Sequence, residues 1–236
     1  MQQKSVEPLQ TKSFWNSYMK SYDYLGSVSS YRDSLYNIAK AAQVNAGDRI
    51  LDAGSGTGNL SMLLKSLGGD VTSLDFSEDA LAIHRSKDPQ ATVICHSLEE
   101  CLPFRDGAFD TVCCASVLFS LSEKGCRTTL TEFFRVLQPG GTLVITAASP
   151  RKKNRSLLRQ HLTSAGWKRV LGLILDVPSI VRVLYFNMRL QRFENWQGYH
   201  RFTETELSAA CSSAGFRDVN VALTYGESFF LVTARK

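Results

Sequence analysis

Short apolar runs alternate with amphipathic stretches along most of the chain. The runs "RILDAG" (49–54), "DVTSLDF" (70–76), "ATVICHS" (91–97), "FDTVCCAS" (109–116) and "GTLVITAA" (141–148) have strand length and predict strands. Between them, residues 58–67, 78–86 and 123–137 place apolar side chains three or four apart and predict helices. The last helix is expected to stop at "QPGG". Strands and helices alternating at this pitch predict βαβ units and a parallel sheet. Upstream, residues 13–44 read as helices: Trp15, Tyr18, Tyr22 and Leu25 fall on one aromatic face. A second helix from Tyr31 to Ala42 repeats the pattern with Leu35, Ile38 and Ala39, and the turn "NAGD" ends it.

The chain closes differently. "FTETELSAACSSAGF" predicts a helix with Thr203 three residues before Glu206, the spacing of a capping box, and Gly215 as its stop. "DVNVAL" and "SFFLVTARK" then lie too close together for a helical crossover, so they predict a hairpin. The fold class expected is α/β: a Rossmann-like sheet of seven strands with a helical insertion. About fifty residues before the capped helix are too many for an ordinary loop. They predict a helical cap over the C-terminal edge of the sheet. Three regions follow: a helical lid (1–44), a core (45–148 with 202–236) and a cap (149–201).

Charge sharpens this division. The chain has 236 residues, 44% of them hydrophobic, and a net charge of +5. Residues 151–201 carry 11 Lys/Arg against 2 Asp/Glu, whereas the rest has 16 against 20. One basic segment thus sits on a mildly acidic protein. The start, "MQQKSVEPLQ", lacks the apolar core of a secretory signal, and the run 170–186 is broken by Asp176, Pro178 and Arg182. A cytoplasmic protein without integral membrane insertion is expected. Six cysteines without C-x-x-C spacing read as reduced, packed thiols, and no metal site is expected.

The densest signal is "LDAGSGTGNL" (51–60). Glycines after a strand and before a helix let a ligand lie against bare backbone, beside the unpaired N–H groups of the helix start. A Walker loop would need Gly-Lys-Ser/Thr, and Asn59 follows Gly58 instead. The dinucleotide pattern G-x-G-x-x-G fails by one position. The neighbours decide the matter. "ILDAGSGTGNLS", "VTSLDFSEDALAIHR", "EECLPFRDGAFDTV" and "FFRVLQPGGTLVIT", in that order, resemble the class I S-adenosylmethionine-dependent methyltransferases.

The resemblance implies S-adenosylmethionine as cofactor and a seven-stranded sheet whose last strand is antiparallel. It implies that Asp52, Ala53, Gly54, Gly56 and Gly58 border the cofactor and that Asp75 binds the ribose hydroxyls, with Phe76 on the adenine. Where the family usually has Asp, this chain has Ser97, so adenine recognition is expected to lean on the backbone around Leu98. Ala115 and Ser116 stand where the family approaches the sulfonium. Tyr22 and Tyr31 are candidates for closing over the cofactor.

No D/N-P-P-Y/F/W box follows the fourth strand, which weighs against amino-group methylation of bases or glutamine. Phe119 stands where relatives often carry His, so a base must come from elsewhere: His200, Tyr199, Tyr185 or His161. Arg182, Arg189 and Trp196 of the cap are candidates for binding substrate. The expected activity is methyl transfer to a small-molecule acceptor, with an anionic or carrier-bound acceptor among the options. One alternative closes the cofactor's own amino-acid chain into a ring and releases methylthioadenosine. RNA or lipid methylation and non-enzymatic cofactor binding are further alternatives; no RNA-binding module is visible. The sequence leaves the oligomeric state open.

Overall fold

The computed structural model describes residues 29–150, 202–224 and 229–236. The lid residue Tyr22 lies outside them. So do Tyr185, Tyr199, His200, His161, Arg182, Arg189 and Trp196.

Helix α1 (Ser29–Ala42) buries Leu35, Ile38, Ala39 and Ala42, the stripe that its periodicity predicts. Five strands and three helices follow: β1 (Arg49–Ala53), α2 (Asn59–Ser66), β2 (Asp70–Asp75), α3 (Glu78–Lys87), β3 (Thr92–Cys95), β4 (Phe109–Ala115), α4 (Glu123–Val136) and β5 (Leu137–Ala148). Helix α5 (Glu204–Ser213) leads into β6 (Arg217–Thr224) and β7 (Phe229–Arg235). The sheet order is β3-β2-β1-β4-β5-β7-β6. Strands β1 to β5 run parallel, and β7 is antiparallel to both β5 and β6. The closing hairpin is therefore inserted with β7 between β5 and β6, and buried residues alternate with half-buried ones along it, one face toward the core.

Local chemistry fixes the helix starts. Ser77 accepts from Ala80 N–H, Ser122 from Gly125 N–H, and Thr203 and Glu206 form the expected reciprocal box. One boundary differs from expectation. "QPGG" does not separate α4 from β5; the strand begins at Leu137, directly after the helix. Leu137 is fully buried and pairs with Phe109, and a register shift between Phe109 and Thr111 absorbs the proline and glycines.

Two apolar clusters flank the sheet. One side packs Leu51, Val112, Leu143 and Val232 against Leu130 and Phe133 of α4 and Leu207 of α5. The other packs Ile50, Cys113 and Val144 against α1 and α2. Cys113 and Cys114 thus point to opposite faces, and all six cysteines are unpaired thiols. Successive parallel strands to either side of β1 and β4 carry the chain in opposite directions. The crevice beyond their C-terminal ends is the place where open α/β sheets bind ligands.

Candidate functional site

The turn after β1 holds three glycines with positive φ: Gly54 at 76°, Gly56 at 54° and Gly58 at 82°. Such angles strain any residue bearing a Cβ. Gly54 and Gly58 are also crowded: a methyl group on Gly54 would run into Val117, and one on Gly58 into the His84 ring. Gly54 N–H and Ser55 N–H donate to the Leu74 carbonyl at 2.7 and 3.0 Å, which clamps the turn onto the end of β2.

Asp75 ends β2 and is 6% exposed. Its two oxygens accept from Gly56 N–H at 2.9 Å and Ser77 N–H at 2.8 Å. Burial pushes its carboxyl above the ordinary range, and these amide bonds oppose the shift. Each oxygen keeps a further lone-pair direction, so the carboxylate can take hydroxyl donors beyond its own backbone partners.

Asp52 sits one strand away. The register sets Ser73 on one side of it and Cys113 on the other. Ser61 Oγ donates to Asp52 Oδ2 at 2.5 Å, and Ser73 Oγ donates to Ser61 Oγ at 2.8 Å. Burial raises the Asp52 carboxyl to about 7; the Ser61 hydroxyl pulls the other way, and the Asp75 charge adds to the rise. Among the described residues, three buried side-chain polar atoms lack a hydrogen-bond partner: Asp52 Oδ1, Ser55 Oγ and His84 Nδ1. Two belong to this turn and the third to the residue packed against it. Unmet buried polarity concentrated at one strand-to-helix turn is what a polar ligand would satisfy.

Across the crevice, Ser116 follows β4 with φ of 56°, unusual for a residue with a side chain. Its N–H donates to Thr146 Oγ1 at 2.8 Å, and the two hydroxyls stand 3.3 Å apart. Tyr31 approaches the same turn: Asn59 Nδ2 donates to its hydroxyl at 3.5 Å, while Lys87 holds Asn59 Oδ1 at 2.9 Å. Phe76 is half-buried beside Asp75 and belongs to neither apolar cluster. Ala53 is buried and Ala115 half-buried at their strand ends.

The end of β3 is less open than expected. Ser97 Oγ accepts from Glu99 N–H at 3.2 Å, Leu98 packs into the core, and its carbonyl takes the Thr129 hydroxyl at 2.8 Å. The Leu98 carbonyl and side chain are thus engaged inward, which leaves N–H groups and the second lone pair of Ser97 as the polar groups available there. Sequence reasoning missed Ser61, Ser73, His84, Thr146 and Val117. Four of them lie inside the quoted blocks, but nothing in the pattern gives them a role; register and packing bring them to the turn.

The arrangement offers bare backbone, two buried carboxylates and an aromatic face at one sheet edge. These features fit an adenosine-type ligand with hydroxyl and ammonium donors. Of the two described histidines, His84 packs under the glycine turn and His96 bonds the Cys101 carbonyl at 2.9 Å through Nε2. Among the described residues no group of His, Cys, Asp and Glu is arranged to hold a metal ion, and no helix is long and apolar enough to cross a membrane.

Comparison with known proteins agrees with this geometry. A methyltransferase domain family matches residues 51–145. A demethylmenaquinone methyltransferase of Clavibacter sepedonicus is 35% identical over 222 residues, covering 91% of this chain and 85% of that one. One from Thermus thermophilus is 37% identical over 142 residues, covering 56% of this chain and 63% of its own. Among solved structures, a methyltransferase of Thermotoga maritima described as S-adenosylmethionine-dependent has a TM-score of 0.62 at 17% identity. That likeness covers 96% of this chain and all of that one. The sheet, its closing hairpin and these relatives define the class of enzyme. The chain belongs to the class I S-adenosylmethionine-dependent methyltransferases of the small-molecule type, and S-adenosylmethionine is its cofactor.

Proposed function

We propose that this enzyme methylates a ring carbon of a quinol, a demethylmenaquinol-type acceptor. The observation that carries the reading is the extent of the Clavibacter match. At 91% of this chain, it leaves fewer residues unmatched than the segment 149–201 contains. The similarity to a demethylmenaquinone methyltransferase therefore reaches into the region where acceptor choice is expected.

The cofactor supplies an electrophilic methyl group on its sulfonium. The chain's residues do the rest. Asp75 holds the ribose hydroxyls, Phe76 covers the adenine, and Ser97 and the Leu98 N–H meet its edge. Gly54, Gly56 and Gly58 admit the ligand to the backbone. Asp52, with its unpartnered Oδ1, and Ser55 face the methionine end, and Ala115 and Ser116 close the crevice beside the sulfonium. Tyr31, and Tyr22 from the N-terminal segment, close over the cofactor.

A ring carbon of a quinol becomes nucleophilic when the neighbouring hydroxyl gives up its proton, so alignment and one base account for the catalysis. His200, Tyr199 and Tyr185 are the candidates for that base. Arg182, Arg189 and Trp196 hold the acceptor: the arginines take its oxygens and Trp196 its ring. The alternative ring closure of the cofactor has no observation of its own behind it.

The test uses S-adenosylmethionine labelled with carbon-13 in its methyl group and a reduced naphthoquinone lacking the ring methyl. A new aryl-methyl carbon signal in the product is expected. A methoxy signal, or no label transfer, would overturn the reading.

A further inference from the structure

His84 occupies the last turn of α3, yet it is 1% exposed. A methyl group on Gly58 would fall onto the imidazole, against Cδ2, Nε2 and Cγ together. The face of the ring therefore lies where a side chain on Gly58 would stand, at the residue that caps α2 in the left-handed conformation. Its Nδ1 has no hydrogen-bond partner. Behind the turn lies a cavity of about 80 Å³, lined by Ser61, Ser73, His84, Asp88 and Thr92 among others. A ring held on one side by backbone and bordered on the other by a small polar cavity acts as a spacer under the turn.

We propose that His84 is a positioning residue for the cofactor: its ring, lying face-on under Gly58, sets the height at which Gly56 and Gly58 present their backbone to the ligand. The inference rests on the reading that this turn holds S-adenosylmethionine. A spacer of this kind works through affinity rather than through the methyl-transfer step, because it touches the turn and not the reacting atoms.

The surroundings give the spacer a pH dependence. Burial holds the imidazole below its ordinary range, and Lys87, Lys65 and Arg85 add to this while Asp88 opposes. Asp88 is itself engaged by Lys65 at 2.6 Å, and Asp70 lines the same cavity from β2. A proton taken up by His84 would place a cation against backbone in a slot already bordered by three basic side chains. Acidification below the ordinary imidazole range then loosens the turn and weakens cofactor binding.

The test is calorimetric titration with S-adenosylhomocysteine of the wild type, His84→Ala, His84→Gln, Gly58→Ala and the double variant Gly58→Ala/His84→Ala. His84→Ala is expected to raise Kd about tenfold at pH 7.5 while kcat at saturating cofactor stays within about twofold. His84→Gln is expected to weaken less than the wild type as pH falls below the ordinary imidazole range, with only the share carried by Asp52 and Asp75 remaining. This uncharged variant carries the test if the alanine variant does not fold. Gly58→Ala is expected to cost less affinity in the His84→Ala background, since the ring it would strike is gone. Wild-type affinity and pH profile in His84→Gln, or an equal Gly58→Ala penalty in both backgrounds, would overturn the inference. Asp75→Ala separates the two failures. Normal binding there sinks the cofactor site itself, whereas lost binding there with unaltered His84 variants sinks only the spacer.

Discussion

The two edges of the sheet use the same kinds of residue and treat them in opposite ways. At the N-terminal ends of β1 and β4, Asp110 takes Arg49 Nε and Nη2 at 3.0 Å each, and the guanidinium holds its carboxyl below the ordinary range. Nearby, Arg135 binds both oxygens of Glu132 at 2.9 and 2.7 Å, along with Asp106 and the carbonyls of Leu102 and Phe104. Lys236 covers the Arg135 and Leu137 carbonyls. At the C-terminal ends, Asp52 and Asp75 are buried beside hydroxyls and amides only, and burial pushes both carboxyls up. Charges at the first edge are paired, so that edge fastens the fold. Charges at the second wait for a partner, and unmet charge in a crevice marks the place where a ligand supplies what the protein withholds.

The contrast can be broken most sharply by one substitution made at both edges. Asp75→Ala is expected to weaken S-adenosylhomocysteine binding roughly 100-fold, the loss of charge-assisted bonds to two hydroxyls. Asp110→Ala should leave affinity unchanged, and calorimetry on the pair checks both. Next in size, Arg135→Met should cost roughly 2–3 kcal/mol of unfolding free energy by denaturant titration. It strips the Glu132 carboxylate and two carbonyls of donors, yet should leave the cofactor Kd alone.

Asp52 sharpens the comparison through pH. Its folded carboxyl, at about 7, holds a proton between pH 4 and 7, where the unfolded chain has released it. Stability of the cofactor-free protein should therefore fall as pH rises through that window. Asp52→Asn keeps an acceptor for Ser61, should flatten the fall, and should gain on the order of 2 kcal/mol at pH 8. Melting temperatures from pH 4 to 8 would check it. The smallest effect is expected from Arg49→Met: an exposed guanidinium contributes little, and the melting temperature should move barely beyond measurement error at pH 7. What the pair does contribute should disappear in acid, as Asp110 takes up its proton below the ordinary carboxylate range.

Much of the fold was legible because each block carries its own signal: strand-length apolar runs, capping residues, and a hairpin too short for a crossover. The helix does stop before "QPGG", but the strand was expected only from Gly141, because breaker residues say nothing about pairing and the burial of Leu137 against Phe109 decides it. The same limit applies at the site. Gly54, Gly56, Gly58 and Asp75 announce themselves through spacing and strand ends. Ser61, Ser73 and His84 do not, since a lone polar residue inside an amphipathic element has no pattern until register sets it beside Asp52 or under Gly58. Leu98 was singled out for its backbone; its side chain packs into the core and its carbonyl takes the Thr129 hydroxyl, neither of which its sequence block announces.

The most direct measurement of the central claim, that the unpaired edge holds S-adenosylmethionine as a methyl donor, is the fate of the cofactor. Mass spectrometry would follow purified enzyme with S-adenosylmethionine, with and without a reduced naphthoquinone lacking its ring methyl. The account predicts S-adenosylhomocysteine that appears only with the acceptor and in equal amount to methylated product. Methylthioadenosine formed faster than in a protein-free control, with or without acceptor, would contradict it.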